Sequence, residues 1–234
     1  MSSGPVVRVV YLVPADRAER PEFVTATGAA ITNVQRWYWE RMGNRKTFQL
    51  HEPVVEVSHL THSSSWYVDH RLEAERTQWF WQNVLHDGFA EMGAGFNDPQ
   101  NRWVFYIDAE NQPDQAVGGN AGVALLPQHD LMGLIGQSIF PSERDVCRWV
   151  GGLAHELGHA FELPHPPGYE KFAFDRSGGS LMALGFRAYP ETFLNPEDIE
   201  KLNASPFFTT MEFAQSMPDC KNLSNAMLAT KEAR

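Results

Sequence analysis

The sequence predicts an α+β domain, and three observations carry that expectation. Strand-like and helix-like stretches alternate through the first two thirds of the 234 residues. Hydrophobic residues make up 43% and charged residues 21%, an ordinary globular composition with enough length for one sizeable core. The last third changes character: an amphipathic helical stretch gives way to a segment rich in Pro, Gly and Ser, Glu162 to Phe193, and then to a short capped helix.

Val6 to Val13 (VVRVVYLV) is an apolar, β-branched run ending at Pro14, which predicts a buried strand. Thr25 to Met42 carries Ile31, Val34, Trp37, Tyr38 and Met42 at helical spacing, with Gly43-Asn44 as a stop signal. Lys46 to Leu50 and Val54 to Val57 read as the next strands, and His59 to Trp66 as a polar loop. Leu72 to Met92 is a second amphipathic helix ending at Gly93, with Trp79, Phe80, Val84, Phe89 and Met92 available to a core. Arg102 to Ile107 and Ala121 to Leu126 are strand-like, and Gly118-Gly119 before the latter hints at an edge or a bulge. Pro141 to Phe161 forms a third helix whose Val146, Trp149, Val150, Leu153, Leu157 and Ala160 trace one apolar stripe, leaving the other side for chemistry. In Asn195-Pro196-Glu197-Asp198 a capping residue, a first-turn proline and two acids start a last helix that runs to about Asn203. The final ~20 residues are polar, show no clear pattern and are expected to be a loosely held tail.

Several function classes are disfavoured. A formal charge of −10 argues against a surface that neutralises phosphates, so neither nucleic acid nor an anionic membrane is an expected partner. No apolar run approaches the ~18 residues that span a bilayer, and the N-terminus lacks the basic, apolar, small-residue order of a signal peptide, so a soluble chain is expected. Two cysteines, Cys147 and Cys220, lie far apart and outside any CxxC, which excludes a cysteine-ligated zinc. Two unpaired thiols are expected rather than one bridge.

The chemistry-bearing pattern lies in the third helix, as His155-Glu156-Leu157-Gly158-His159 with His165 six residues on. Histidines four apart differ by ~40° around a helix and ~6 Å along it, so both imidazoles can meet one ion of tetrahedral preference. Glu156 lies about 100° from His155, beside such an ion rather than on it, where its carboxylate can take a proton from water. Three histidines leave a fourth position open, which favours catalysis over a closed structural site. On a continuing helix Glu162 would lie ~10.5 Å along from His155, too far to share one ion, so His165 is expected as the third ligand. His59-x-x-His62 near Asp69-His70 is the best candidate for a second metal site. Such loop histidines are usually plain polar residues.

The pattern resembles the metzincins, zinc endopeptidases with HExxHxxGxxH followed by a methionine-bearing turn. Ser180-Leu181-Met182, downstream of His165, looks like that turn. The resemblance implies a twisted mixed sheet with two backing helices, an active-site helix and a small, mostly irregular C-terminal lobe ending in a helix. It implies one domain over 1–234, with an upper lobe over about 5–163, a lower lobe over about 164–214 and the tail at 215–234. It further implies one catalytic zinc on His155, His159 and His165, Glu156 as general base, Met182 beneath the site, and a polypeptide substrate. The Ala121 to Leu126 strand would be the sheet edge that pairs with it, through Ala121, Gly122, Val123 and Ala124. The family is mostly exported, which tilts the expected location outside the cell. A hydrolase of a non-peptide amide or ester would use the same residues; a non-catalytic binding module would leave Glu156 without a role.

The sequence departs from the family at three points. Glu162 stands where the family has glycine, and a left-handed glutamate there costs ~1–2 kcal/mol. Pro166 follows the last histidine. Leu184 stands where some members carry an oxyanion-stabilising tyrosine, a role Tyr189 could take only by a different route.

Overall fold

A computed structural model describes residues 4–169, 179–213 and 219–223. Along the chain run β1 (Val6–Val13), α1 (Pro21–Arg41), β2 (Lys46–His59), α2 (Ser64–Asp69), α3 (Trp79–Met92), β3 (Asn101–Ile107), β4 (Gly118–Asn120), β5 (Val123–Leu126), α4 (Gln128–Leu134), α5 (Val146–Ala160), α6 (Pro196–Ala204) and β6 (Phe208–Thr210). The strands form one six-stranded mixed sheet in the order β4-β5-β3-β1-β2-β6. β1 pairs in parallel with β2 and β3, and β3 with β5. The outer strands β4 and β6 run antiparallel to their neighbours.

The unbroken apolar run of β1 reflects burial on both faces. Val7, Val9, Tyr11 and Val13 point into a core shared with α1 and α5, whereas Val10 and Leu12 point into a second core under α2 and α3. The α+β class is therefore as expected, but helices cover both faces of the sheet, and α2 and α4 form in stretches with no clear helical pattern. β2 is one long strand rather than two. α1 starts at Pro21, where a proline needs no N–H partner, four residues before the expected point. Trp37 is fully buried, while Trp79, which the helical pattern made available to a core, is only partly so.

Three expectations are overturned. β5 is an inner strand, hydrogen-bonded to β3 on one side and β4 on the other, and all four of its residues are buried. The free edge is β4. Ala121 and Gly122 form the tight turn between the two, with φ of 49° and 87°, and Val123 and Ala124 already have sheet partners for their backbones. Second, Cys147 and Cys220 form a disulfide with Cα atoms 5.2 Å apart, because the chain after α6 folds back against the start of α5. Third, the described part of the expected tail, residues 219–223, is held in place: Cys220 and Leu223 are buried. The rest of the predicted tail lies outside the described residues. Among the described residues no helix is long and apolar enough to cross a membrane.

Candidate active site

α5 begins with Asp145 accepting a hydrogen bond from Cys147 N at 3.0 Å and lies on the sheet through Val150, Leu153, Leu157 and Ala160. It ends in a two-bond turn, Glu162 N to His159 O and Leu163 N to Gly158 O, with Glu162 at φ 69°. The left-handed residue anticipated at that position is thus present, as a glutamate. Its carboxylate lies 3.5 Å from Arg102 and is not part of the histidine grouping.

The turn brings His165 back onto the helix. The Nε2 atoms of His155, His159 and His165 lie 3.1, 3.0 and 3.3 Å from one another. Zn–N bonds of about 2.0–2.1 Å in a tetrahedron place ligand nitrogens about 3.3 Å apart, so the three atoms fit such an ion. The outer nitrogens are committed: His155 Nδ1 donates to Leu181 O at 2.7 Å and His159 Nδ1 to Leu163 O at 2.8 Å. Carbonyls only accept, so both Nδ1 atoms carry the proton and both Nε2 lone pairs face the centre. Burial pushes the His155 pKa down to about 4, with Arg148's charge adding to it. Burial and the neighbouring histidines bring His165 to about 4, and burial beside His155 lowers His159 as well. The rings are therefore neutral at pH 7, as metal ligands must be. Tyr169 stacks on His165 at 3.8 Å and Phe186 lies 5.0 Å from His155, bracing the two rings from outside.

Glu156 sits between the helix and the sheet edge. The Gly119 N–H donates to its carboxylate, while burial raises its pKa. Only glycines permit this approach. A Cβ at Gly118 would stand 2.9 Å from Glu156 Oε2, and one at Gly119 would stand 2.1 Å from the Glu156 carbonyl oxygen. Met182 is fully buried, its sulfur 2.4 Å from where a Cβ on Gly158 would be, directly under the turn that carries the histidines. Its segment is tied down by Leu181 N to Phe193 O and by Asn195 Nδ2 to Ser180 Oγ, so the capped start of α6 anchors it.

Tyr189 is not placed for oxyanion stabilisation: it is buried and its hydroxyl donates to Asn33 at 2.6 Å. The second histidine group does not converge. His62 bonds Asp87 at 2.7 Å, and His62 and His70 stack on Trp66 at 3.7 and 4.2 Å. Among the described residues the metal-competent groupings are the three histidines and the cluster around the disulfide. Gly118, Gly119 and Tyr169 were missed as site residues. The glycine pair carried a signal as an edge marker, whereas nothing local in the sequence points to Tyr169.

No protein-family model matches the sequence, and no curated protein does. Solved structures share the fold. Wild-type OgpA from Akkermansia muciniphila is similar over 94% of this chain and 66% of its own, at 20% identity and a TM-score of 0.58. Catalytically inactive OgpA, crystallised with an O-glycopeptide (glycodrosocin) substrate, is similar over 89% of this chain and 62% of its own, at 18% identity and a TM-score of 0.58. The chain thus spans a little under two thirds of OgpA's length. Archaemetzincin from Methanopyrus kandleri covers 95% of this chain and 96% of its own at 16% identity, but its TM-score of 0.39 carries no argument.

Proposed function

We propose that this chain is a metzincin-type zinc endopeptidase, with His155, His159 and His165 holding one zinc ion and Glu156 moving the proton. The observation that carries the reading is the convergence of three neutral Nε2 atoms whose outer nitrogens are committed to carbonyls, beside a buried carboxylate. When bound, zinc supplies Lewis acidity towards an amide carbonyl and makes water acidic enough to attack near neutral pH. Glu156 accepts the proton of the attacking water and passes it to the departing nitrogen. Its raised pKa suits both halves of that transfer. The Gly119 N–H holds the carboxylate in place. The free edge of β4, rather than β5, offers backbone groups to an extended peptide, which binds as an added antiparallel or parallel strand. Met182 supports the histidine-bearing helix by packing against Gly158.

The shared fold of OgpA, crystallised with a glycopeptide, supports a polypeptide as the substrate class. The Cys147–Cys220 bridge supports an oxidising compartment, in line with export. The test is metal analysis with hydrolysis of a panel of plain peptides, O-glycosylated peptides and small esters. Glu156→Gln should keep zinc and lose peptide cleavage. Full cleavage by that variant, or turnover of esters alone, would overturn the proposal.

A further inference from the structure

His165 is held differently from the two histidines of α5. His155 and His159 share one helix, and each gives its Nδ1 proton to a main-chain carbonyl. His165 stands on the chain that returns beyond the helix. Its Nε2 faces the other two Nε2 atoms, but among the described residues no acceptor meets its Nδ1. A ligand ring without that outer bond is free to turn about its Cβ–Cγ axis and to carry Nε2 away from an ion.

Two local devices take the place of the missing carbonyl. Pro166 confines the His165 backbone to extended conformations, because a proline ring crowds the residue before it. Pro166-Pro167-Gly168-Tyr169 then forms a tight turn, closed by Tyr169 N to Pro166 O at 3.1 Å, with Gly168 at φ 77°. A proline second and a left-handed glycine third are what a type II turn favours. The reversal lays the Tyr169 ring on His165, with centroids 3.8 Å apart and planes 28° from parallel. The other ring contacts of His165 among the described residues are with His155 and His159, which belong to the metal centre themselves. Of its aromatic neighbours, then, Tyr169 alone fixes the imidazole plane from outside that centre.

We propose that Tyr169 is the positioning residue for His165, and that the turn at 166–169 thereby sets how fast the protein releases zinc. The ring acts by stacking, so its hydroxyl takes no part and phenylalanine serves as well. This role rests on the zinc reading above, but not on which bond is cleaved.

Zinc release is timed by transfer from the zinc-loaded protein to an excess of a chromogenic chelator, with no peptide present. Tyr169→Leu should release zinc about tenfold faster than the unsubstituted protein, the size of effect that follows loss of a group orienting a metal ligand. Tyr169→Phe should release it at the unsubstituted rate. Gly168→Ala reaches the same ring through the backbone. No described atom lies within 4 Å of its added Cβ, so the left-handed φ alone opposes the substitution, and release should again be faster. The visible absorption of cobalt-exchanged protein reads ligand geometry separately; Tyr169→Leu should change it and Tyr169→Phe should not. Thermal unfolding of the metal-free forms verifies that each variant is folded, and Gly168→Ala decides if Tyr169→Leu is not. Equal release by Tyr169→Leu and the unsubstituted protein overturns the proposal and leaves the zinc site standing, as does release from Tyr169→Phe as fast as from Tyr169→Leu. An unsubstituted protein that takes up no zinc overturns both. Release that depends on Tyr169, from a protein that cleaves no peptide, upholds the role of the turn and removes the peptidase reading.

Discussion

Gly119→Ala tests the claim that the sheet edge and Glu156, the proposed general base, are fitted to each other through a missing side chain. A Cβ at that position would stand 2.1 Å from the Glu156 carbonyl oxygen and 2.7 Å from His159 Cβ. The first of these is about 1 Å inside ordinary contact, and both neighbours belong to a helix packed on the core, so neither can rotate away. β4 must move instead, and it is held by only three residue pairs to β5. Overpacking of this kind costs about 1–3 kcal/mol, read as a lowered midpoint in urea unfolding. The same movement breaks the Gly119 N–H bond to the Glu156 carboxylate. A displacement near 1 Å in a positioned catalytic group costs about 100-fold in rate. Because the added Cβ also presses on His159 Cβ, zinc content is measured alongside, so that a loss of rate from the displaced carboxylate is told apart from a loss of metal. Gly95→Ala is the control: no atom lies within 4 Å of its added Cβ, and its stability should stay within about 0.5 kcal/mol. If Gly119→Ala matched Gly95→Ala in both unfolding and peptide hydrolysis, the fitted-edge argument would be wrong.

His165→Ala should lose zinc far more readily than Glu162→Ala, as read by metal analysis after dialysis against a weak chelator; equal retention would show that His165 is not a ligand. Replacing both Cys147 and Cys220 by Ser removes a crosslink that closes a loop with a sequence separation of 73, and chain entropy predicts a loss of about 4 kcal/mol, measurable by denaturant unfolding under oxidising conditions. An unchanged midpoint would count against it. Asp130 is buried, and that burial, only partly offset by His129 and Arg148, pushes its pKa up to about 6 from 3.8. Its contribution is fully present below pH 3.8 and is lost as pH rises through about 6, so the folded protein binds the extra proton in that window. Relative to Asp130→Asn, the unsubstituted protein should therefore lose about 2–3 kcal/mol of stability between pH 4 and pH 7. Parallel stability curves for the two proteins would contradict this.

What could be read from the sequence is what depends on near neighbours. The spacing of His155 and His159 is a property of one helix, and the Asn195-Pro196-Glu197-Asp198 cap is a property of four residues; both appear where the pattern puts them. The left-handed conformation at Glu162 was signalled only by the resemblance, through the glycine that the metzincins carry at that position; the structure closes α5 there with two backbone bonds. The edge of the sheet was not legible. β4 and β5 are both short, and whether a strand is inner or outer depends on which distant backbone bonds to it, here β3. Hydrophobicity offered a misleading cue, since the more strand-like sequence, Val123–Leu126, is the one buried between two neighbours.

By itself, then, the sequence determined the chemical kit: two histidines and a carboxylate on one helix, a third histidine returned by the turn, and an α+β frame around them. Only the tertiary structure decided what surrounds the kit. It joined Cys147 to Cys220, aimed Glu162 at Arg102, buried the Tyr189 hydroxyl on Asn33, and laid Gly119 against Glu156. Most of these are contacts between segments far apart in the chain, and all are fixed by packing rather than by local periodicity. The physical reason is range: a helix sets positions a few ångströms apart through its own hydrogen bonds, whereas close approach of separate elements is set by which side chains are absent between them.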